Sequence, residues 1–119
     1  MVLVVDDEFL IRWSLKEHLT DAGYKVLEAE DGKGALAHFA AGKEPVKLVL
    51  LDLKLPDLDG VEVLKRIKNT EPSCHVVMMS AQGTPEKREA ARQAGAHSFV
   101  DKPFDYSAMV RKAEEILGK

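Results

Sequence analysis

Short apolar runs alternate with longer amphipathic segments along this chain of 119 residues, and this alternation most constrains its fold. Continuous apolar runs of this length are typical of strands covered on both faces of a parallel sheet, whereas the segments between them have helical periodicity. Right-handed crossovers between such strands give an α/β domain, a (βα)5 unit with helices on both faces of a five-stranded parallel sheet. The predicted strands are Leu3–Val5, Lys25–Ala29, Leu48–Leu51, Val76–Met79 and Ser98–Val100.

Five helices are predicted between and after these strands from apolar stripes and from residues that begin or end helices. Four N-terminal signals are Asp31, the Asp59–Gly60 turn, Thr84–Pro85 and Asp105, and Gly23 is suited to end the first helix. The fourth helix has a weak apolar face, mainly Ala90, Ala91 and Ala94, so we expect it to be the least firmly anchored of the five.

Composition limits the class of protein. The 119 residues predict one domain spanning 1–119, and the net charge of −3 gives no electrostatic basis for direct binding of nucleic acid. The apolar runs are too short to cross a bilayer, and a strand begins where a signal peptide would lie, so no membrane association is expected. Cys74 is the single cysteine. It permits no internal disulfide, is best explained as a small buried residue, and favours a cytoplasmic location.

Polar groups follow four of the predicted strands at the point where each strand ends. These are Asp6–Asp7, Asp52, Ser80 and Lys102–Pro103. Because the carboxyl ends of parallel strands meet at one edge of the sheet, these side chains are expected to converge there. Asp6 and Asp7 taken alone could equally cap the first helix. Their joint placement with a third carboxylate, a hydroxyl and an ammonium instead favours a divalent cation beside a phosphoryl group.

The chemistry of that edge follows from charge. Adjacent carboxylates cannot all stay ionised in a buried site unless a cation neutralises them, and Mg²⁺ prefers oxygen ligands. Asp52 stands alone on the third strand and suits the role of a nucleophile that forms an acyl phosphate. Lys102 offers a point charge and Ser80 a hydroxyl donor for phosphoryl oxygens. Asp57 and Asp59, in the loop after Asp52, are predicted to be turn and cap residues.

Four motifs carry a family resemblance, in order along the chain: Val4–Glu8, Leu51–Pro56 with Asp59–Gly60, Met79–Ala81 and Asp101–Phe104. Their order and spacing resemble those of receiver domains of two-component response regulators, along essentially the whole chain. The resemblance implies a three-layer flavodoxin-like (CheY-like) fold with strand order 2-1-3-4-5. It also implies a signalling switch rather than an enzyme, in which Asp52 accepts a phosphoryl group from a sensor histidine kinase or a histidine phosphotransfer protein.

The same resemblance implies a magnesium site. Asp7 and Asp52 would bind Mg²⁺ directly, together with the backbone carbonyl of Lys54, and Asp6 would act mostly through water.

It also implies a phosphoryl cradle and a switch. Lys102 would pair with the phosphoryl group, with a cis peptide bond to Pro103, and Ser80 would bind it together with the backbone N–H of Ala81. Ser80 would then move toward the phosphate while Phe99, three residues before the lysine, swings inward. The expected output surface is the fourth helix, the fifth strand and the fifth helix, through which a homodimer is also plausible.

A narrower resemblance rests on Ile11–Leu15, Met78–Thr84 and Asp101–Asp105. These segments look like receivers fused to ATPase activators that work with the nitrogen-type sigma factor, which implies transcriptional regulation through a fused or separate effector domain. No ATPase or DNA-binding segment follows the receiver in this sequence. It is therefore either a single-domain regulator or a part of a longer one, and the sequence leaves both open.

Three other functions can be weighed against the switch. A haloacid-dehalogenase-like phosphohydrolase would need a second Asp where Lys54 stands, and a flavin mononucleotide module would have its phosphate repelled by Asp6–Glu8. A degenerate receiver that serves only as a scaffold would lack site residues, yet every position is filled. Trp13 lies off the stripe of the first helix and is either a partner anchor or a partly packed side chain.

Overall fold

A computed structural model describes residues 1–42 and 45–118. In this part of the chain, five strands alternate strictly with five helices. The elements are β1 (Val2–Val5), α1 (Phe9–Asp21), β2 (Val26–Ala29), α2 (Gly32–Ala41), β3 (Leu48–Asp52), α3 (Gly60–Thr70), β4 (His75–Ser80), α4 (Pro85–Gln93), β5 (Ser98–Asp101) and α5 (Tyr106–Leu117).

The strands form one parallel sheet in the order β2-β1-β3-β4-β5, which confirms the predicted fold. The chain runs from β1 to one edge of the sheet and then returns to place β3 on the other side of β1. Such a reversal opens a crevice beyond the carboxyl ends of the two strands. Val5 lies opposite Leu51 in the register, so the residues that follow them emerge side by side into this crevice.

Two hydrophobic clusters cover the two faces of the sheet. Alternate residues of β1 divide between them: Leu3 packs in the cluster that contains residues of α2, α3 and α4, whereas Val4 packs in the one formed with α1 and α5. The strands β1 and β3 are buried along their whole length, as their apolar sequences predict. In the described residues, no helix has the length and the apolar character needed to cross a bilayer.

The helix ends match the sequence signals. The side chains of Asp31, Asp59, Thr84 and Asp105 each accept a hydrogen bond from a backbone N–H in the first turn of α2, α3, α4 and α5 respectively. Gly23, just beyond α1, has a φ of +97°. The predicted weakness of α4 is also seen, since Ala91 is its buried residue.

Helical spacing predicts that Ala40 of α2 faces inward and that His18 of α1 is packed, and the structure differs at both positions. Ala40 is exposed, whereas Ala35 is buried. The start of α2 packs tightly on its neighbours, since a Cβ on Gly32 would lie 2.8 Å from a side-chain carbon of Leu58. His18 is exposed, although its ring stacks on that of Tyr106 with centroids 5.1 Å apart.

Gly60 allows the loop after β3 to fold back onto the end of the strand. Its N–H donates to the carbonyl of Leu53 at 2.8 Å. A Cβ at this position would lie 2.5 Å from the Leu53 carbonyl oxygen and 2.7 Å from that of Asp52. Because both are backbone atoms of the strand end, they cannot move aside as a side chain could. Glycine is therefore required here, and it fixes the path of the chain directly after Asp52.

We expect Gly60→Ala to lower the free energy of unfolding by about 3 kcal/mol, the upper end of the usual cost of overpacking. Urea titration followed by circular dichroism would measure this. Gly42→Ala is the matched control, because Gly42 has a φ of +60° with nothing within 4 Å of an added Cβ. It carries only the cost of left-handed backbone, about 1 kcal/mol. Equal losses in the two variants would contradict the argument from close approach.

Candidate functional site

The polar residues predicted to meet at the edge of the sheet do so. Asp6 follows β1 directly, Asp52 ends β3 and Ser80 ends β4. These three are the buried polar residues in the part of the chain that the structure describes, and each is at most 5% exposed. Burying polar groups is unfavourable unless they are partnered, so their concentration at one edge indicates a site built for a ligand or a charge.

Lys102 connects the carboxylates of this edge. Its Nζ lies 2.8 Å from Asp6 Oδ2, 3.3 Å from Asp52 Oδ2 and 3.4 Å from Glu8 Oε1. Burial disfavours the charged form of the lysine, but the hydrogen bond to Asp6 and the surrounding carboxylates outweigh burial and raise its pKa. Lys102 therefore has an ammonium that is held in place by three acidic side chains, and only 7% of its side chain is exposed.

The site nevertheless contains more negative charge than this lysine can neutralise. Carboxylate oxygens of Asp6, Asp7, Glu8 and Asp52 all lie within 4.8 Å of one another. Burial, followed by repulsion from Asp6, raises the pKa of Asp52 to about 6 even though Lys102 acts to lower it. A cluster of hard oxygen donors with surplus negative charge fits Mg²⁺, since a divalent cation would relieve the repulsion.

A cavity of about 380 Å³ opens beside these groups, and its lining includes Asp7, Asp52, Ser80, Ala81 and Lys102. The Ser80 hydroxyl oxygen accepts the N–H of Gln82 at 3.0 Å, and a hydroxyl that accepts one bond can still donate another. The peptide bond from Lys102 to Pro103 is cis, the geometry that the family resemblance implied.

The loop after Asp52 places Lys54 at the mouth of this cavity. The backbone N–H of Lys54 is 3.4 Å from Asp52 Oδ1, and Lys54 forms an isolated antiparallel bridge with Asp59. The bridge closes the loop into a compact turn. The carbonyl of Lys54 as a metal ligand and the N–H of Ala81 as a phosphoryl donor stay predictions.

Two residues that support the site were not singled out from the sequence. Glu8 extends the acidic cluster and contacts Lys102, a role that its position directly after Asp6–Asp7 could have suggested. Arg12 donates from Nη1 to the carbonyl oxygen of Asp6 at 2.8 Å and pairs through Nε with Glu28 at 3.1 Å. It thereby ties the end of β1 to α1 and β2, and no local pattern marks it.

The role of Asp57 differs from the predicted one. It was interpreted as a turn residue of its own loop, but its carboxylate accepts the N–H groups of Gly32 and Lys33 at 2.8 and 2.9 Å. It thus caps α2 from a loop 25 positions away. The hydrogen bond from Gly32 is the main reason why the pKa of Asp57 is lowered. This contact links two βα connections on the same side of the site.

Phe99 and Trp13, the two aromatic side chains singled out from the sequence, both remain partly exposed. Phe99 is half-buried on β5 and packs against the hydrophobic cluster that includes α3 and α4. Trp13 is 50% exposed and, with Phe9 and Leu10, gives the start of α1 a group of exposed apolar side chains. This exposure leaves room for the partner-anchor interpretation of Trp13 without establishing it.

Comparison with known proteins assigns the chain to a family. Residues 2–114 match the family model described as the response regulator receiver domain. The chain belongs to this family. Receiver domains are the signalling switches of two-component systems, so this is the receiver domain of a response regulator.

Individual relatives support the assignment. The receiver is 38% identical over 104 residues to sporulation initiation phosphotransferase F of Bacillus subtilis, covering 87% of this chain and 82% of the relative. It is 36% identical over 117 residues to the DNA-binding transcriptional regulator NtrC of Salmonella typhimurium, covering 98% of this chain and 24% of that regulator. The crystal structure of the NtrX receiver domain from Brucella abortus superposes with a TM-score of 0.89 at 37% identity, covering 100% and 99% of the two chains.

Similarity to NtrC and NtrX confirms the narrower resemblance to receivers of longer nitrogen regulators. The receiver spans about a quarter of NtrC and most of the sporulation protein. It therefore has similar relatives both among much longer regulators and among proteins of about its own size.

The raised pKa of Asp52 predicts a pH-dependent gain in stability on removing its charge. A carboxyl with a pKa of about 6 in the folded protein, against 3.8 ordinarily, binds its proton more tightly when folded. Ionisation of Asp52 therefore leaves the free energy of unfolding unchanged below pH 3.8. It lowers this free energy progressively as the pH rises, and the whole decrease is reached above pH 6. In buffer containing a chelator, Asp52→Asn should raise the free energy of unfolding by about 2 kcal/mol near neutral pH and change it little near pH 4.

Urea titrations at the two pH values would test this. Asp57→Asn is the control of opposite sign. Its lowered pKa stabilises the fold above pH 3.8 and this contribution is lost only in stronger acid, so the variant should lower the free energy of unfolding at both pH values. A gain for Asp52→Asn that is the same at both pH values would show that desolvation and repulsion of the carboxylate are not its cause.

Proposed function

We propose that this receiver accepts a phosphoryl group on Asp52 from a phosphohistidine and, in response, changes the surface formed by α4, β5 and α5. The observation that carries the proposal is the placement of Asp52. Its carboxylate is 5% exposed, lies 3.3 Å from the Lys102 ammonium, and lines an open cavity together with Ser80. A nucleophile, a cation and a hydroxyl donor thus meet where a phosphoryl group can enter.

The transfer exchanges one bond for another. A carboxylate oxygen of Asp52 attacks phosphorus, the bond from phosphorus to the histidine nitrogen breaks, and that nitrogen keeps the electron pair. The reaction requires positioning and charge neutralisation more than covalent chemistry from the protein. Lys102 already contacts Asp52 and Asp6, so its ammonium is in place to pair with the phosphoryl oxygens. The Ser80 hydroxyl and the Ala81 N–H complete the cradle.

Magnesium belongs to the same site in this proposal. Receiver domains normally use Mg²⁺, and the acidic cluster fits it. Asp7, Asp52 and the carbonyl of Lys54 would hold the ion directly, and Asp6 would do so mostly through water. When bound, the ion neutralises the carboxylates and the negative charge of the phosphoryl group.

The switch connects Ser80 to Phe99. Contacts between the phosphoryl group and Ser80 exist only in the phosphorylated protein, and such a difference is what shifts a population between two conformations. Phe99 turns inward as Ser80 moves toward the phosphate. Because α4 buries little, this helix and its neighbours β5 and α5 are the elements that move.

The remaining expectations become part of the proposal. We assign residues 1–119 to one receiver unit without enzymatic activity beyond its own phosphorylation and dephosphorylation, since Lys54 stands where a phosphohydrolase would need a second acid. Response regulators act with histidine kinases and effector domains, and those are the proposed partners. Direct contact with nucleic acid is not proposed, and a cytoplasmic location rests on the family alone.

The acceptor can be tested by intact mass spectrometry after incubation with acetyl phosphate and Mg²⁺. We expect the mass of one phosphoryl group to be added, and to be missing from Asp52→Asn and from protein incubated with a chelator. Asp57→Asn is the matched control, since Asp57 lies in the adjoining loop outside the acidic cluster, and it should still be phosphorylated. An adduct that persists in Asp52→Asn would refute the assignment of the acceptor.

If the wild-type protein shows no adduct, release of inorganic phosphate distinguishes two outcomes. Steady release that requires Asp52 means a short-lived acyl phosphate and leaves the proposal intact. Absence of release, together with no adduct, would leave only the scaffold function.

The homodimer through α4, β5 and α5 is a separate proposal. This face carries exposed charges of both signs, among them Arg92 and Asp101, which suits a symmetric contact between two copies. Sedimentation velocity should show a monomer that becomes a dimer when beryllofluoride and Mg²⁺ are added. A monomer in both conditions, with beryllofluoride shown to bind, would remove the dimer and leave the phosphoryl switch unaffected.

A further inference from the structure

Arg88 of α4 makes two contacts with β5. Its guanidinium carbon lies 4.6 Å from the centroid of the Phe99 ring, within the range of a cation–π interaction. Its Nη2 forms an ion pair with Oδ1 of Asp101. One side chain thus holds both the aromatic ring and the acidic residue at the end of the strand.

The edge of the Phe99 ring also lies close to the backbone of Gly83. A Cβ on Gly83 would lie 2.6 Å from Cε1 of the ring and 3.5 Å from Nε of Arg88. Gly83 and the guanidinium of Arg88 therefore both lie against Phe99. A cavity of about 320 Å³, lined by residues that include Arg88, Ala91 and Phe99, lies alongside. Close packing does not enclose the ring on all sides, so its contact with Arg88 contributes to keeping it where it is.

The ion pair joins Arg88 to the end of β5, beside Ser80. Asp101 lies opposite Ser80 in the register of β4 and β5, and it precedes Lys102, whose N–H donates to the Ser80 carbonyl at 2.8 Å. Arg88 thus connects α4 to the strand end that supplies the phosphoryl-binding lysine. Since α4 buries only Ala91, this pair is a substantial part of what attaches the helix to β5.

We propose that Arg88 is a positioning residue that clamps α4 to β5 and keeps Phe99 in the half-buried position it has here, which we assign to the resting state. The clamp rests on the proposed function in so far as phosphorylation is what releases it. Inward movement of Phe99 removes the ring from beneath the guanidinium, so the contact stabilises the resting state alone. Arg88 thereby sets how readily the receiver switches, although it touches no reacting atom.

The expected effect is modest because both partners of the ion pair are partly exposed, at 39% for Arg88 and 65% for Asp101. Solvent screens exposed pairs strongly, and an exposed cation–π contact is weak. Loss of both contacts should raise the ratio of switched to resting protein about five-fold.

The test compares Arg88→Gln with Arg92→Gln. Both remove one positive charge from α4 and introduce the same residue, but Arg92 pairs with Glu89 of its own helix and has no ring contact with Phe99. Asp101→Asn, a third variant, breaks the ion pair while leaving the arginine beside the ring.

Two readouts are used for each variant. The first is fluorine NMR of the unphosphorylated protein labelled with para-fluorophenylalanine, with the Phe99 resonance assigned by Phe99→Leu. The second is the rate of phosphoryl uptake from acetyl phosphate with Mg²⁺.

Arg88→Gln should shift the Phe99 resonance toward its position in the beryllofluoride-bound protein and raise the uptake rate about five-fold. Asp101→Asn should have a smaller effect in the same direction, and Arg92→Gln should match the wild type. Equal results for Arg88→Gln and Arg92→Gln would overturn the clamp, as would faster uptake with an unmoved Phe99 resonance. If the wild type and the variants show neither a phosphoryl adduct nor Asp52-dependent release of inorganic phosphate, the proposed function fails. The fluorine spectrum without any ligand, compared between Arg88→Gln and Arg92→Gln, still decides whether Arg88 holds Phe99.

Discussion

The site depends on one electrostatic conflict, the burial of Asp6 and Asp52 close together at the carboxyl edge of the sheet. Two carboxylates in such a place repel each other and lose hydration, which is why the pKa of Asp52 is raised to about 6. The fold tolerates them because Lys102 reaches across from the end of β5 and contacts both. Lys102 can contact both carboxylates only because β1, β3 and β5 end at the same edge of the sheet. The register of the strands therefore determines which charged groups meet there.

The conflict also prepares the site for its ligands. Lys102 satisfies only part of the negative charge of four neighbouring acidic residues, so binding of a divalent cation would relieve the remaining repulsion. A site made of stable, fully neutralised pairs would have no such tendency. The stability forgone by burying Asp52 as an anion is thus linked to the tendency of the site to bind a cation, an arrangement seen where function and stability compete.

Most of the fold and the central site residues could be predicted from the sequence, because their signals are local. Strand runs, helix caps such as Asp31 and Thr84, and polar residues at strand ends each occupy a few adjacent positions. What escaped prediction depends on contacts between distant segments. Asp57 caps a helix 25 positions away, and Arg12 holds the backbone of Asp6 from within α1. Arg88 looks like any surface arginine until the packing of α4 places it over Phe99. Periodicity and spacing carry no information about such partners.

The bond from Asp57 to the start of α2 gives the two sides of the cavity unequal mechanical properties. On one side, the loop after Asp52 is held by the hydrogen bond of Gly60 and is joined through Asp57 to a second helix, so it is the more rigid side. On the other side, α4 buries one alanine and contacts β5 through the side chain of Arg88, so it is the less firmly held side. Under the proposed function, phosphorylation between them would displace α4 rather than the loop, because the loop is the more firmly held of the two. The firmness of the loop would then determine the direction in which the signal leaves the site.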